Sequence, residues 1–225
     1  MKIIRVFPRR TAATPDDALA FVGDPPMPAF QPYADEVHVS VTFSWDLSEA
    51  ERLKRAWERF YPVVKIGGPA LGDPGGEFVP GRYLKAGYVV TSRGCPNNCW
   101  FCVVPKREGR IRELPITNGW NVLDSNLIAC SEPHLEAVCD MLKKQDRRPR
   151  FTGGIEPAAL TPNLAHKLAS VRPDGLFCAY DTPSDLEPLR RAGAYLQEAG
   201  LKRKHPLQCY VLCGWLGPSR LPVYP

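Results

Sequence analysis

Three closely spaced cysteines are the strongest chemical feature of this sequence. Cys95, Cys99 and Cys102 form a C-x3-C-x2-C pattern that follows a predicted strand at residues 88–91. Thiolates are soft ligands that suit zinc or an iron–sulfur cluster. A structural zinc site needs four closed ligands, and neither the neighbouring residues nor the histidines supply an evident fourth. Three thiolates can instead hold three irons of a four-iron cluster and leave the fourth iron open to another ligand.

The elements that must position these cysteines alternate between strands and helices. Ser131, Thr161 and Thr182 are predicted helix N-caps, because each precedes an apolar helical pattern with proline in the first turn. The predicted strands are residues 88–91, 120–123, 150–152, 175–180 and 207–212, and the helices run to about residues 144, 169 and 199. This alternation predicts parallel β/α units with right-handed connections, in an open sheet or a partial barrel.

The residues before this region predict a smaller α/β segment. Strands are predicted at residues 3–7, 36–43 and 63–66, and a helix at residues 47–60. Ser48 and Glu51 form a capping-box pattern for the start of that helix. The chain is therefore expected to consist of a small α/β segment, residues 1–80, and a β/α region of about five parallel strands, residues 81–225.

Proline and glycine disfavour regular structure in several stretches. Residues 8–32 and 62–80 are rich in proline and are predicted to be irregular connectors. Residues 103–119 contain no uninterrupted helical run, so no helix is predicted there. The prolines in residues 217–225 exclude a helix, and a final helix and strand of the β/α region are therefore expected to be missing.

Composition excludes several classes of protein. With 225 residues, 44% of them hydrophobic and 24% charged, the chain has the composition of a globular protein. No stretch approaches the about 20 apolar residues of a membrane span, and no secretory signal pattern is present, so a cytoplasmic location is expected. The balance of 29 basic and 24 acidic residues is too mild to indicate a nucleic-acid partner. Eight cysteines are too few for a disulfide scaffold, which favours metal binding or packing.

The cysteine segment resembles the cluster-binding signature of the radical S-adenosylmethionine (SAM) superfamily, C-x3-C-x-aromatic-C, with Phe101 in the aromatic position. This resemblance implies a radical SAM-type β/α barrel, here incomplete, with a 4Fe–4S cluster on Cys95, Cys99 and Cys102. It implies that the open iron binds SAM, and that reductive cleavage gives a 5′-deoxyadenosyl radical that acts on an unknown substrate. An electron donor such as flavodoxin or ferredoxin is then an implied partner. The protein would supply orientation and exclusion of water.

Two further segments extend the resemblance. Gly153 and Gly154 resemble the Gly-Gly-Glu segment that meets the SAM amino group, although Ile155 separates them from Glu156. Two glycines allow backbone to approach a ligand closely, and a plain strand-to-helix turn is the alternative interpretation. Asp181 follows another predicted strand and could reach the SAM ribose hydroxyls, although the helix dipole explains an acidic residue there equally well.

The remaining motifs have simpler interpretations. The turn formed by Asp124, Ser125 and Asn126 could line a substrate pocket or form an Asx turn. The isolated cysteines, Cys130, Cys139 and Cys178, are predicted to be buried packing residues. Cys209 and Cys213 would lie about 13 Å apart along a strand, too far to share a metal. The basic residues that follow the cysteines, Lys106, Arg107, Arg110 and Arg112, could meet an anionic ligand or form a solvated loop.

The N-terminal segment bears a faint likeness to cobalamin-binding domains that precede some radical SAM enzymes. It has the same strand–helix–strand order and a Gly67-Gly68 turn, but it lacks a D-x-H-x-x-G motif to ligate cobalt. It is therefore expected to be degenerate and without cobalamin.

Two other functions stay open: a non-catalytic zinc or iron–sulfur binding module, and an inactive truncated barrel that forms a cluster without binding SAM.

Overall fold

The computed structural model describes residues 1–201 and 207–212, and the chain divides into two compact units, Met1–Tyr88 and Val89–Pro225. The boundary between the units, after Tyr88, lies eight residues beyond the boundary predicted from the sequence, after residue 80. The intervening residues are held to the first unit, because the Lys85 backbone nitrogen donates to the Ala13 carbonyl at 2.8 Å. Both units contain parallel sheets with helices, so the fold is mixed α/β.

The first unit contains one parallel sheet covered by a helix. Its elements are β1 (Ile3–Phe7), β2 (Ala20–Val22), β3 (Glu36–Ser40), α1 (Leu47–Trp57) and β4 (Val64–Gly67), and the sheet order is β2-β1-β3-β4. Fully buried Leu53 and Trp57 of α1 belong to the same core as Val6, Val37 and Val39 of the sheet. Burial of these apolar side chains is the main force that holds the helix on the sheet.

Two predictions for this unit are wrong. β2 lies within residues 8–32, predicted to be irregular, because pairing with β1 organises its three residues. The predicted capping box at Ser48 and Glu51 does not form, since α1 begins at Leu47 with no side-chain cap. The preceding carboxylate, Asp46, is buried and accepts a hydrogen bond from Arg9 Nε at 3.0 Å instead.

The second unit contains a five-stranded parallel sheet. The elements are β5 (Tyr88–Val89), β6 (Ser92–Arg93), α2 (Val104–Glu108), β7 (Arg112–Glu113), β8 (Asn121–Val122), α3 (Glu132–Lys143), β9 (Arg150–Ile155), α4 (Pro162–Ser170), β10 (Gly175–Tyr180), α5 (Leu186–Glu198) and β11 (Leu207–Val211). The sheet order is β11-β10-β9-β8-β5, so neighbouring strands follow one another along the chain. β6 and β7 form a separate antiparallel pair.

The predicted N-caps of α3 and α4 are confirmed. The Ser131 hydroxyl accepts from the His134 backbone nitrogen at 3.4 Å, and the Thr161 hydroxyl accepts from that of Leu164 at 3.3 Å. Thr182 instead caps a short 3₁₀ turn, Pro183–Asp185, that leads into α5. The prediction that residues 103–119 contain no helix is wrong, because α2 forms there. Pro105 lies in the first turn of α2, where the missing backbone N–H of proline costs little.

The predicted burial of three isolated cysteines is confirmed for Cys130, Cys139 and Cys178. Cys209 lies in β11, whereas Cys213 and residues 217–225 lie outside the described residues. Among residues 1–201 and 207–212, no helix has the length and apolar character needed to cross a membrane.

Candidate metal and cofactor site

The three cysteines lie in one loop, residues 94–109, which connects β6 to β7 and contains α2; we call it the cysteine loop. All three are free thiols, with Cys95 and Cys102 half-buried and Cys99 exposed. A turn joins two of them, because the Cys102 backbone nitrogen donates to the Cys99 carbonyl at 3.0 Å. The Cys95 backbone nitrogen donates to the Gly109 carbonyl at 3.2 Å, which brings the ends of the loop together.

A buried carboxylate, Glu108, reinforces this closure. It accepts hydrogen bonds from the Gly94 backbone nitrogen at 2.9 Å and from the Ser125 hydroxyl at 3.1 Å. Arg107 Nη2 donates to it at 2.6 Å, and Arg93 lies 3.8 Å away. Burial opposes ionisation of Glu108, but these partners outweigh it and hold its pKa below its ordinary value.

A second buried carboxylate, Asp124, anchors the residues that lead into the loop. It accepts from the Thr91 backbone nitrogen and hydroxyl, both at 2.6 Å, and from the Ser92 hydroxyl at 2.7 Å. Asp124 follows β8, and Thr91 and Ser92 follow β5, the neighbouring parallel strand. Burial raises the pKa of Asp124 although these hydrogen bonds act in the opposite direction. Asp124 is therefore an internal anchor between the ends of β5 and β8.

Asn126 connects the cysteine loop to the segment after β9. Its Nδ2 atom donates to Cys95 Sγ at 3.4 Å and to Glu156 Oε2 at 2.8 Å. The side chain is buried, and its Oδ1 atom has no hydrogen-bond partner within the part of the chain that the structure describes. Such an orphaned acceptor is unusual in a buried position and leaves one hydrogen-bonding requirement of this side chain unmet.

The two glycines of β9 have different structural requirements. The register between β9 and β10 shifts between Phe151 and Ile155, which places Gly153 and Gly154 in a bulge. A Cβ atom at Gly153 would lie 2.2 Å from the Asp124 carbonyl oxygen, so close backbone packing requires glycine. Gly154 has nothing within 4 Å of a Cβ position, so packing does not restrict the residue type there. Its φ of +102° lies in the region that favours glycine.

Two predicted site residues, Glu156 and Asp181, act electrostatically on Cys99. Partial burial is the main cause that raises the pKa of the Cys99 thiol, and electrostatic repulsion of its thiolate form by Cys102, Cys95, Asp181 and Glu156 adds to it. Burial and the neighbouring Asp185 carboxylate raise the pKa of Asp181. The carboxyl ends of β9 and β10 therefore place Glu156 and Asp181 within electrostatic range of the cysteine loop.

Phe101 presents an exposed aromatic ring in the same loop. It is 37% exposed and packs edge-to-face with Trp100, whose ring centroid is 5.4 Å away. The exposed ring is able to stack on a planar ligand.

The donor set fits an iron–sulfur cluster in its chemistry. It consists of three free thiols in one loop, with an amide N–H on Cys95 and an orphaned acceptor, Asn126 Oδ1, beside it. Within the described ranges, no group of three or more histidine, cysteine, aspartate or glutamate side chains is arranged to hold a metal ion. The loop therefore supplies suitable ligands without holding them in a preformed metal geometry.

Sequence reasoning missed the role of Glu108 and the bridge made by Asn126. Glu108 carries no local signal, since its partners Gly94 and Ser125 are 14 and 17 residues away. Asn126 was recognisable only as part of a polar turn after a strand.

Comparisons with protein-family models and with curated proteins found no match to this chain.

Proposed function

We propose that this protein is a radical SAM-type enzyme that holds a 4Fe–4S cluster on the cysteine loop and acts on an unknown substrate. The observation that supports this most is the hydrogen-bonded connection from Cys95 Sγ through Asn126 Nδ2 to Glu156 Oε2, which joins the cysteine loop to the end of β9. Three thiols, a glycine bulge and two carboxylates are the parts that a cluster and a nucleoside sulfonium with a free amino acid group would require.

The strand order supports an incomplete β/α barrel as the scaffold. The strands β5, β8, β9, β10 and β11 are parallel and adjacent in chain order, as successive barrel strands are. Ligands of such folds bind at the carboxyl ends of the strands, where Glu156 and Asp181 follow β9 and β10. The cysteine loop follows β6, the short strand that comes after β5 in the chain.

Each residue has a defined part in the proposal. Cys95, Cys99 and Cys102 would hold the cluster, and the bound cluster and SAM would supply the electron transfer and radical chemistry. The backbone of Gly153 and Gly154 would approach the amino acid part of SAM, and Glu156 would face its positive charge. Asp181 would accept hydrogen bonds from ribose hydroxyls, and Phe101 would cover the ligand and exclude water.

Anaerobic reconstitution tests the proposal. The protein is loaded with iron and sulfide, treated with SAM and dithionite, and assayed for 5′-deoxyadenosine; flavodoxin or ferredoxin is then tried in place of dithionite. We expect 5′-deoxyadenosine from the wild type and none from Cys99→Ala. The matched control is Cys139→Ala, which removes a buried thiol of α3 and should leave iron content and product formation unchanged. A fully loaded wild-type protein that forms no 5′-deoxyadenosine contradicts the proposal.

A non-catalytic thiolate module is the second candidate, and the exposed surface of the cysteine loop favours it. Trp100, Phe101 and Val103 are 40%, 37% and 55% exposed beside the cysteines, as expected for a loop that contacts a partner protein. One equivalent of zinc without labile sulfide would identify the module. A cluster that forms but leaves SAM unbound would instead identify an inactive truncated barrel.

A further inference from the structure

We infer that Asn126 is a positioning residue that tunes Cys95 and couples it to Glu156. This inference rests on the proposed function, because it assigns Asn126 a role toward a group held by the cysteine loop. Asn126 would act through Cys95 as a hydrogen-bond donor to its sulfur.

The backbone fixes where this amide lies. Asn126 immediately precedes a 3₁₀ turn, Leu127–Ala129, and its carbonyl accepts from the Ala129 backbone nitrogen at 3.2 Å. The residue is only 3% exposed, so its side chain has little freedom to leave the site. β8 and the following turn therefore hold the amide at the edge of the sheet where the cysteine loop begins.

The two neighbours determine the orientation of the amide. Cys95 Sγ and Glu156 Oε2 are both acceptors, at 3.4 and 2.8 Å, so the nitrogen end of the amide must face them. Both N–H groups of Nδ2 thereby serve two groups of the proposed site at once. Oδ1 is left without a partner among the described residues, so the side-chain hydrogen bonds of Asn126 there are those to Cys95 and Glu156.

An N–H group on a metal-binding sulfur has two measurable effects. It withdraws electron density from the sulfur, and hydrogen bonds to sulfur are one of the determinants of the reduction potential of an iron–sulfur cluster. It also orients the ligand, and loss of such outer contacts typically lowers metal affinity by about 10- to 100-fold. Because the same amide also holds Glu156, a change at that carboxylate should reach Cys95 through Asn126.

The test uses three variants of the full chain. Asn126→Leu keeps the side-chain size and removes the donor, whereas Asn126→Gln retains an amide N–H. Asn121→Leu is the matched control, because Asn121 is equally buried in β8 and accepts a hydrogen bond from Thr152 rather than contacting a cysteine or Glu156. Thermal unfolding verifies that each variant is folded before it is assayed.

Two measurements follow on each variant. The first is titration with Co²⁺ alone, observed through thiolate-to-cobalt charge-transfer absorbance. Asn126→Leu should bind Co²⁺ about 10-fold or more weakly than the wild type. The second is the reduction potential of the reconstituted cluster, which should shift to more negative values in Asn126→Leu. Asn126→Gln should recover part of both effects, and Asn121→Leu should show neither.

The outcomes separate this inference from the proposed function. Unchanged Co²⁺ affinity and unchanged potential in Asn126→Leu would overturn the inference even if the wild type forms 5′-deoxyadenosine. Equal losses in Asn126→Leu and Asn121→Leu would also overturn it, because they would indicate a general packing effect. A wild type that forms no 5′-deoxyadenosine, with the Co²⁺ effect confined to the Asn126 variants, would defeat the proposed function and leave Asn126 as a tuning residue of a thiolate site.

Discussion

Glu108 accepts a hydrogen bond at 2.9 Å from the backbone nitrogen of Gly94, the residue before Cys95. These two residues stand near opposite ends of the cysteine loop, and the side chain of Glu108 is 2% exposed. The same carboxylate accepts from Ser125, next to Asn126. One buried group thus ties together both ends of the loop and the turn that carries the Cys95 donor.

Replacement of Glu108 by alanine should open the loop and lower stability. The substitution leaves the Arg107 and Arg93 charges and the Gly94 N–H without their partner, so we expect a loss of about 3 kcal/mol in the free energy of unfolding. Urea unfolding of the metal-free protein measures this loss. The control is Glu136→Ala, which removes an exposed carboxylate that pairs with Lys167 and should change stability little. Equal losses of stability in the two variants would contradict the role of Glu108 in closing the cysteine loop.

Replacement of Gly153 and of Gly154 by alanine should have unequal costs. Gly153→Ala drives a methyl group into the Asp124 backbone carbonyl, which should cost about 3 kcal/mol or more. Gly154→Ala meets open space and only imposes an unfavourable φ of +102°, which should cost about 1 to 3 kcal/mol. Urea unfolding of the two variants compares these costs directly. A larger loss in Gly154→Ala would contradict the packing argument.

The pH dependence of stability should identify Asp124. Its pKa in the folded protein is raised above the ordinary 3.8, so above pH 3.8 the folded state binds more protons than the unfolded state. The stability that protonated Asp124 contributes is therefore lost as pH rises from 3.8 through the raised pKa of the folded protein. Asp124→Asn lacks this titration. As pH rises from 3.8 toward neutrality, the Tm of the wild type should fall relative to the Tm of Asp124→Asn. A Tm difference between the two proteins that stays constant with pH would contradict burial as the dominant cause of the raised pKa.

Local patterns in the sequence predicted the elements that depend on nearby residues. The N-caps Ser131 and Thr161 were predictable because each hydroxyl meets a backbone nitrogen three residues away. The cysteine spacing and the glycine pair were likewise visible without a structure. The parallel arrangement of the strands was predictable from their alternation with helices.

Contacts between distant residues account for what the sequence did not reveal. The capping box at Ser48 was wrong because a 3₁₀ turn, Ser44–Asp46, starts the helix at Leu47 and leaves Ser48 inside it. The N-cap residue, Asp46, is engaged by Arg9, 37 residues earlier. β2 is only three residues long and depends on pairing with β1, so its own residues carried little signal. Glu108 looked like an ordinary acidic residue in a basic loop, since only the closure of the loop brings Gly94 to it.

Under the proposed function, loss of the Phe101 ring should weaken SAM binding without affecting the cluster. The ring is exposed in the cysteine loop and supplies no metal ligand, so iron and sulfide content should be unchanged in Phe101→Ala. Stacking of an aromatic ring contributes about 0.5 to 1.5 kcal/mol, so we expect the Kd for SAM to rise about 2- to 10-fold. Isothermal titration of the reconstituted protein measures this Kd. Trp100→Ala is the matched control, because it removes the adjoining exposed ring from the same loop; an equal rise in that variant would assign the effect to the loop surface and not to Phe101.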